Sequence, residues 1–196
     1  MPLVHQMKAI QLIEAATGQQ LLKATPPWLL RPGAQECAGR WYLLCDIYRA
    51  LTGLNLPEQM PRRESRRIDA ILPEQAGPRV VEIDEGQHFN LHRKLTLDTY
   101  PADVPLAFDR NVWCVRSNRE PRPRSGGWAA PKPPLFPGSG GRHLQRAFRD
   151  ALADILPPLH GYAPTLRIAD FEVAFCGAAV NPVAAMRELL VAKGVL

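Results

Sequence analysis

Long apolar runs are missing from this chain of 196 residues. The longest are only a few residues, such as Trp28-Leu29-Leu30, whereas a membrane-spanning helix needs about 20 apolar residues in succession. The first twenty residues lack a charged start followed by an unbroken apolar stretch, which a secretory signal would show. These two absences predict a cytoplasmic protein that does not insert into a membrane.

Paired cysteines are missing as well. The four cysteines form no C-x-x-C motif, and their spacing suits neither a zinc ribbon nor a disulfide framework. Cys37 and Cys45 fall within an apolar helical pattern, so we expect all four thiols to be reduced and mostly buried. With 46% hydrophobic and 22% charged residues the composition is that of a folded chain, and the length favours one domain.

Negative charge is scarce in one segment of the chain. The formal net charge is +5, but residues 110–149 carry nine arginines and lysines against a single acidic residue, Glu120. A segregated basic segment attracts polyanions, nucleic acid first and an acidic membrane surface second. An arginine-rich loop without a partner has the same composition, so charge alone leaves both interpretations open.

Proline and glycine divide the chain. They are densest between residues 121 and 141, where no regular element is expected. We interpret this stretch as an extended arm, with Trp128, Leu135 and Phe136 as its candidate anchors. The single domain then has four parts, namely an N-terminal extension, a core motif region, the arm and C-terminal helices (1–33, 34–117, 118–141 and 142–196).

Helical periodicity is clearest over residues 35–52. Apolar side chains recur there every three or four positions, and Gly53 follows as a stop signal. We expect this helix to pack on a sheet through Trp41, Leu44 and Tyr48. Further helices are predicted over 6–17, 88–100 and 142–156, and after Asn181.

After Gly53 the pattern changes to short strands. Residues 67–72 and 79–84 flank a turn that contains proline and glycine, which predicts an antiparallel hairpin. Weaker strand candidates are 56–63, 106–108 and 111–116.

Carboxylates concentrate on one face of this predicted hairpin. Side chains alternate along a strand, so Glu82 and Asp84 share a face, and Asp69 on the partner strand joins them. Three crowded carboxylates repel one another unless one holds a proton or a cation lies among them, and Mg²⁺ prefers such oxygen ligands. The alternative is a solvated face on which these acids pair with the arginines of 62–67.

Reactive side chains follow the second strand directly. Gln87 and His88 come at its end, and His92, Arg93 and Lys94 lie within the next two turns. His88 and His92 stand four residues apart, a spacing that can also bind a transition metal such as zinc. Ordinary structural roles, such as a hydrogen-bonding residue at a helix start or a solvated lysine, are the alternative.

Together these residues resemble the PD-(D/E)XK nuclease superfamily, and more narrowly its branch of very-short-patch-repair endonucleases. The resemblance covers about residues 35–116 and is carried by a helix with Glu36, a strand with Asp69 and the string E-x-D-E-x-Q-H before a helix with R-K. It implies a restriction-endonuclease-like α/β fold, an α-β-β-β-α-β core with a mixed central sheet flanked by helices. The N-terminal and C-terminal helices would be additions to that core.

The resemblance also implies a function, the Mg²⁺- or Mn²⁺-dependent hydrolysis of phosphodiester bonds in nucleic acid, DNA more than RNA. The implied catalytic residues are Asp69, Glu82, Asp84, His88 and Lys94. The metal ligands would be Asp69, Glu82, Asp84 and the main-chain carbonyl of Ile83. Accessory residues would be Glu36, Gln87 and Arg93. The arginines expected to contact nucleic acid are Arg62, Arg63, Arg66, Arg67, Arg116, Arg119, Arg122 and Arg124.

One departure from the family pattern bears on activity. The position two after the acidic residue, where the family has a lysine that helps to orient or activate the attacking water, is Asp84 here. One alternative is therefore a catalytically inactive module of the same fold that binds nucleic acid or a partner protein. Another is a subunit whose basic arm docks on a protein or a membrane. A homodimer stays open in each case.

Overall fold

A computed structural model describes residues 2–74, 77–119 and 129–196, with side chains from Gln6 onward. Its α-helices are α1 (Pro2–Thr17), α2 (Pro27–Leu30), α3 (Ala34–Cys37), α4 (Trp41–Thr52), α5 (Leu91–Thr99), α6 (Arg110–Arg119), α7 (Gly141–Ile155), α8 (Asp170–Ala178) and α9 (Pro182–Ala192). Its strands are β1 (Ala70–Leu72), β2 (Arg79–Asp84) and β3 (Ala163–Ala169). Among the helices of the described residues, none has both the length and the apolar character that crossing a membrane requires.

Within the described residues, the three strands form one mixed sheet in the order β1-β2-β3. β1 runs antiparallel to β2, so the predicted hairpin is confirmed. β3 runs parallel to β2 and places Arg167 opposite Glu82. The molecule is thus an α/β protein with a mixed sheet flanked by helices, and the narrower restriction-endonuclease-like fold stays a proposal.

Both faces of β2 are covered, and all six of its residues are buried. Val80 joins an apolar cluster with side chains of α4, α5, α6 and α7. Val81 and Ile83 join a second cluster with side chains of α1, α8 and α9. The predicted alternation of side chains along β2 is therefore confirmed.

Two of the predicted strands are wrong. Residues 56–63 form no strand, because Pro57 and Pro61 cannot donate to a ladder, and a 3₁₀ turn at Arg62–Glu64 ends the segment. Residues 111–116 lie in α6, whose first turn is capped by the Asp109 carboxylate through the backbone N–H groups of Asn111 and Val112. Of the candidate 106–108, only Ala107 pairs, in an isolated parallel bridge to Leu166.

The helix predicted over 35–52 is interrupted. Ala38 has a φ of +41°, and a 3₁₀ turn at Ala38–Arg40 separates α3 from α4. α4 packs chiefly on α5 and α7 rather than on the sheet, and Trp41 is only half-buried, unlike Leu44 and Tyr48. The other helix predictions are confirmed, including the last, where the Asn181 side chain accepts from the backbone N–H of Ala184.

The described part of the predicted arm is anchored. Leu135 and Phe136 are buried, and the Tyr48 hydroxyl donates to the Leu135 carbonyl over 2.5 Å. Residues 118 and 119 belong to α6, while 129–140 contain an isolated bridge between Lys132 and Phe136 and no longer strand. Residues 120–128, including Trp128, lie outside the described residues. All four cysteines are free, but only Cys37 and Cys176 are buried, while Cys45 and Cys114 are partly exposed.

Candidate active site

A cavity of about 340 Å³ opens at the carboxyl end of β2. Asp69, Glu82 and Ile83 line it from the hairpin, and His88 and Gln87 line it from the 3₁₀ turn that follows β2. The structure therefore brings together these predicted residues, which the sequence places on three different local elements. Much of the remaining wall comes from α7, a helix outside the region of resemblance, and Gln6, Arg66, Arg67 and Glu85 complete it.

Asp69 and Glu82 are the two carboxylates of the hairpin that face the cavity. Asp69 accepts from the Gln6 side chain over 2.6 Å and from the backbone N–H of Ile83 over 2.7 Å. Burial raises the pKa of Asp69, and the hydrogen bond from Ile83 only partly opposes that shift. Burial also raises the pKa of Glu82 to about 7, although the Arg66 guanidinium, which donates to this carboxylate, lowers it. Both groups thus hold a proton more readily than in water.

Asp84 does not line the cavity, contrary to the prediction that three carboxylates converge there. It is fully buried, and its two oxygens accept from Arg167 Nη1 over 2.6 Å and from Trp113 Nε1 over 2.7 Å. The crowding expected from the sequence is relieved by a guanidinium, which comes from a strand that the sequence did not reveal.

Arg167 is the centre of a buried network behind the cavity. Its Nε donates to Asp154 over 2.6 Å, and its Nη2 donates to the main-chain carbonyl of Asp150 over 3.0 Å. Asp154 also accepts from Arg93 over 2.7 Å and from the Tyr100 hydroxyl over 2.8 Å. Buried charges persist when they are paired and hydrogen-bonded in this way. Arg93, an accessory residue in the prediction, therefore belongs to this network and not to the cavity lining.

His88 connects the cavity to that network. Its Nδ1 lies 3.0 Å from Asp150 Oδ2 and 3.5 Å from Asp84 Oδ1. Burial lowers the pKa of His88, but the attraction and hydrogen bond of Asp150, with the charge of Asp84, outweigh it, so the net shift is upward. Because Nδ1 is turned towards these carboxylates, Nε2 is the ring nitrogen left for the cavity that His88 lines.

Asp84, His88 and Asp150 are close enough for a metal, since one potential ligand atom from each lies within 4.8 Å of the others. A cation placed there would face the guanidinium of Arg167, which is already 2.6 Å from Asp84. The raised pKa of His88 also favours its cationic form, which is not a metal ligand. We therefore interpret this group as an ion-pair cluster, and the predicted zinc pairing of His88 with His92 gains no third ligand among the described residues.

Five arginines also line the cavity. Arg142, Arg146 and Arg149 recur at helical spacing on α7 and line the cavity together with Arg66 and Arg67. Arg149 also donates to Glu64 over 3.3 Å, and Arg142 to Gln145 over 2.9 Å. In the sequence these three arginines belong to the basic segment 110–149. Their spacing of four and three residues was the signal that could have placed them on one face of a helix.

Several predicted site residues lie elsewhere. Lys94 is on the exposed side of α5, where its Nζ is 2.5 Å from Asp98, so of the two side chains proposed to join the carboxylates, His88 or Lys94, it is His88 that lines the cavity. Glu36 accepts from the backbone N–H of Gly33 and caps the start of α3.

The arginines predicted to contact nucleic acid are also dispersed. Arg116 places its guanidinium 5.0 Å from the centre of the Phe171 ring. Three further arginines are exposed and away from the cavity lining, namely Arg62, Arg63 and Arg119. Arg122 and Arg124 lie outside the described residues.

Comparisons with known proteins found no family model, no curated protein and no solved structure that matches this chain. Any function must therefore be inferred from the residues that line the cavity and from those packed behind it. Four of those neighbours were missed by sequence reasoning, namely Asp150, Asp154, Arg167 and Trp113.

Proposed function

We propose that this protein is a metal-dependent phosphodiester hydrolase of the restriction-endonuclease-like class that acts on nucleic acid, with DNA the first substrate to test. One observation carries the proposal. A single cavity combines two adjacent carboxylates, a histidine held by a buried acid, and a row of arginines that reaches it from a distant part of the chain. Carboxylates suit a divalent cation, and arginines suit the phosphates that such a cation would act on.

The donor set fits Mg²⁺ or Mn²⁺. Asp69 and Glu82 supply carboxylate oxygens, and Ile83 lines the cavity beside them, so its main-chain carbonyl is a reasonable third donor. Asp84 leaves the ligand set, because both of its oxygens are engaged and it does not face the cavity. When bound, the ion would lower the pKa of a water molecule and neutralise charge on the phosphoryl oxygens.

His88 is suited to the proton transfer. Because its pKa is raised, the imidazole stays protonated to a higher pH than a free histidine does. With Nδ1 held by Asp150, Nε2 can donate a proton to the departing oxygen of the phosphodiester. This role does not need the lysine that the family has where this chain has Asp84.

The arginines would hold the substrate. Arg67 and Arg142 are on the cavity wall with Arg146, and guanidinium groups bind phosphate oxygens through paired hydrogen bonds. Such contacts fix the position of the backbone and carry no base preference. We therefore expect affinity that falls with salt and depends little on sequence.

The test is cleavage of plasmid DNA and of labelled single-stranded DNA and RNA by the full chain with Mg²⁺ or Mn²⁺. Activity should disappear with EDTA, and Glu82→Gln should lower it about a hundredfold or more, because a metal supplies several kcal/mol of transition-state stabilisation. Asp69→Asn should lower the activity to a similar extent, because it removes the other charged carboxylate. The fold should be retained, since the amide oxygen can still accept the hydrogen bond from Ile83. The matched control is Glu188→Gln, a change at an exposed acid of α9.

Full metal-dependent activity in a folded Glu82→Gln variant would contradict the assignment of this strand. Equal losses in Glu82→Gln and Glu188→Gln would show a general charge effect instead. Circular dichroism of each variant separates loss of activity from loss of structure.

A binding module without catalysis is the second candidate. The observation that favours it is the Arg66–Glu82 ion pair, because a resident guanidinium already neutralises the central carboxylate. Such a module would bind DNA equally with Mg²⁺ and with EDTA and would cleave in neither. The same two measurements therefore separate the candidates.

A further inference from the structure

We propose that Arg66 is a built-in competitor of the metal ion, and that binding of nucleic acid releases Glu82 by drawing this guanidinium away. The inference rests on the proposed function, because it concerns the metal affinity of the same carboxylate. It assigns to Arg66 a role different from the general phosphate contact that the sequence predicts.

The geometry of Arg66 makes the competition direct. Its Nη2 donates to Glu82 and its Nη1 to the main-chain carbonyl of Arg149, and Arg66 is only 5% exposed. A divalent cation bound to Glu82 would therefore lie directly beside this guanidinium. Two cations in contact with the same carboxylate repel each other strongly, so the ion and the guanidinium cannot both keep full contact with Glu82.

Arg66 is also less completely satisfied than the buried arginine behind it. Its Nε is buried and finds no acceptor among the described residues. Arg167, by contrast, uses Nε, Nη1 and Nη2 on three acceptors. An unsatisfied buried donor costs free energy, which favours movement to a new acceptor. Arg66 lines the cavity, so a phosphate bound there would provide that acceptor.

The two binding events should then help each other. A phosphate that attracts Arg66 exposes Glu82 to the metal, and a metal on Glu82 makes Arg66 available to the phosphate. Reciprocal coupling of this kind is a thermodynamic requirement once one ligand affects the other. The resting ion pair would keep the metal affinity low until nucleic acid is present.

The experiment measures Mn²⁺ binding by calorimetry and by electron paramagnetic resonance, without nucleic acid and without turnover. Arg66→Gln should strengthen Mn²⁺ binding about tenfold, within the usual range of coupling effects. Arg67→Gln is the matched control, because it removes the same charge from the same cavity but breaks no ion pair with Glu82. It should change the affinity clearly less.

Wild-type protein provides a second measurement that does not depend on the folding of a variant. A DNA oligonucleotide with phosphorothioate linkages should strengthen Mn²⁺ binding about tenfold. In the Arg66→Gln variant the oligonucleotide should increase the Mn²⁺ affinity much less.

The inference is overturned if Arg66→Gln and Arg67→Gln behave alike, or if the oligonucleotide leaves Mn²⁺ binding to wild-type protein unchanged. In both cases measurable Mn²⁺ binding leaves the proposed hydrolase intact. If neither wild-type protein nor Arg66→Gln binds Mn²⁺ with or without the oligonucleotide, the metal site fails and the inference fails with it.

Discussion

The cavity and the buried network behind it both contain a carboxylate of β2 paired with an arginine, but the two pairs differ in their surroundings. Glu82 and Asp84 lie two positions apart on one face of β2, and each is paired with an arginine. Glu82 borders open space, and its pKa is raised to about 7 by burial. Asp84 is fully enclosed by Arg167 and Trp113. The surroundings, and not the E-x-D pattern, decide which carboxylate can exchange its partner and which holds the scaffold.

The strongest way to break this contrast is to remove the central cation of the network. Arg167→Met should lower the free energy of unfolding by about 3–5 kcal/mol, because it leaves buried acids without their counter-ion. Urea denaturation followed by circular dichroism measures the change. Arg49→Met, on the exposed face of α4, is the reference and should leave the midpoint nearly unchanged. A loss as small as that of the reference would mean that the network is not what stabilises this side of the sheet.

A smaller effect concerns the pH dependence of stability. The pKa of Glu82 is about 7 when folded against 4.5 for an ordinary glutamate, so between these pH values the folded protein binds more protons than the unfolded chain. Its contribution to stability is therefore present below pH 4.5 and is lost as the pH rises towards 7. Glu82→Gln should make this decline clearly shallower, as measured by unfolding free energies across that range, and the smaller decline that remains is due to Asp69, whose pKa burial also raises.

Asp84→Asn is the comparison for this pH effect, since it retains Glu82. Its stability should be lower throughout, because Arg167 loses a partner, but the decline between pH 4.5 and 7 should persist. Identical pH profiles for wild-type protein and Glu82→Gln would show that this carboxyl does not carry the proton.

The smallest expected effect is that of Lys94→Ala. Lys94 contacts Asp98 on the surface of α5 and is remote from the cavity, so its loss should change neither DNA cleavage nor the unfolding midpoint appreciably. Cleavage assays and urea denaturation of the variant provide the check. A large loss of cleavage with an intact fold would return Lys94 to the site and weaken the contrast between cavity and surface.

The local part of the site could be predicted from sequence. Alternation along β2 and a short hairpin suffice to place Asp69 near Glu82, and His88 follows at the end of the strand. Lys94 was misplaced because the pattern predicts a helix there but not which of its sides faces the cavity. The buried anchors Leu135 and Phe136 could be recognised because they are large apolar residues in a polar, proline-rich stretch.

The long-range part could not be predicted. His88 meets Asp150 across 62 positions, and Asp84 meets Arg167 across 83. β3 also escaped prediction, because a buried arginine in the middle of a strand looks like an exposed position when the sequence is read alone. The ion pair that makes Arg167 tolerable inside the protein is visible only in three dimensions.

The late position of β3 in the chain has a consequence for how the protein is made. A ribosome adds about 5–20 residues per second, so Arg167 is synthesised roughly 4–17 s after Asp84, which lies 83 positions earlier. During that interval β2 has an unpaired edge and an acid without its counter-ion, which is the kind of surface that chaperones cover. The buried network behind the cavity therefore cannot be completed until β3 has been synthesised.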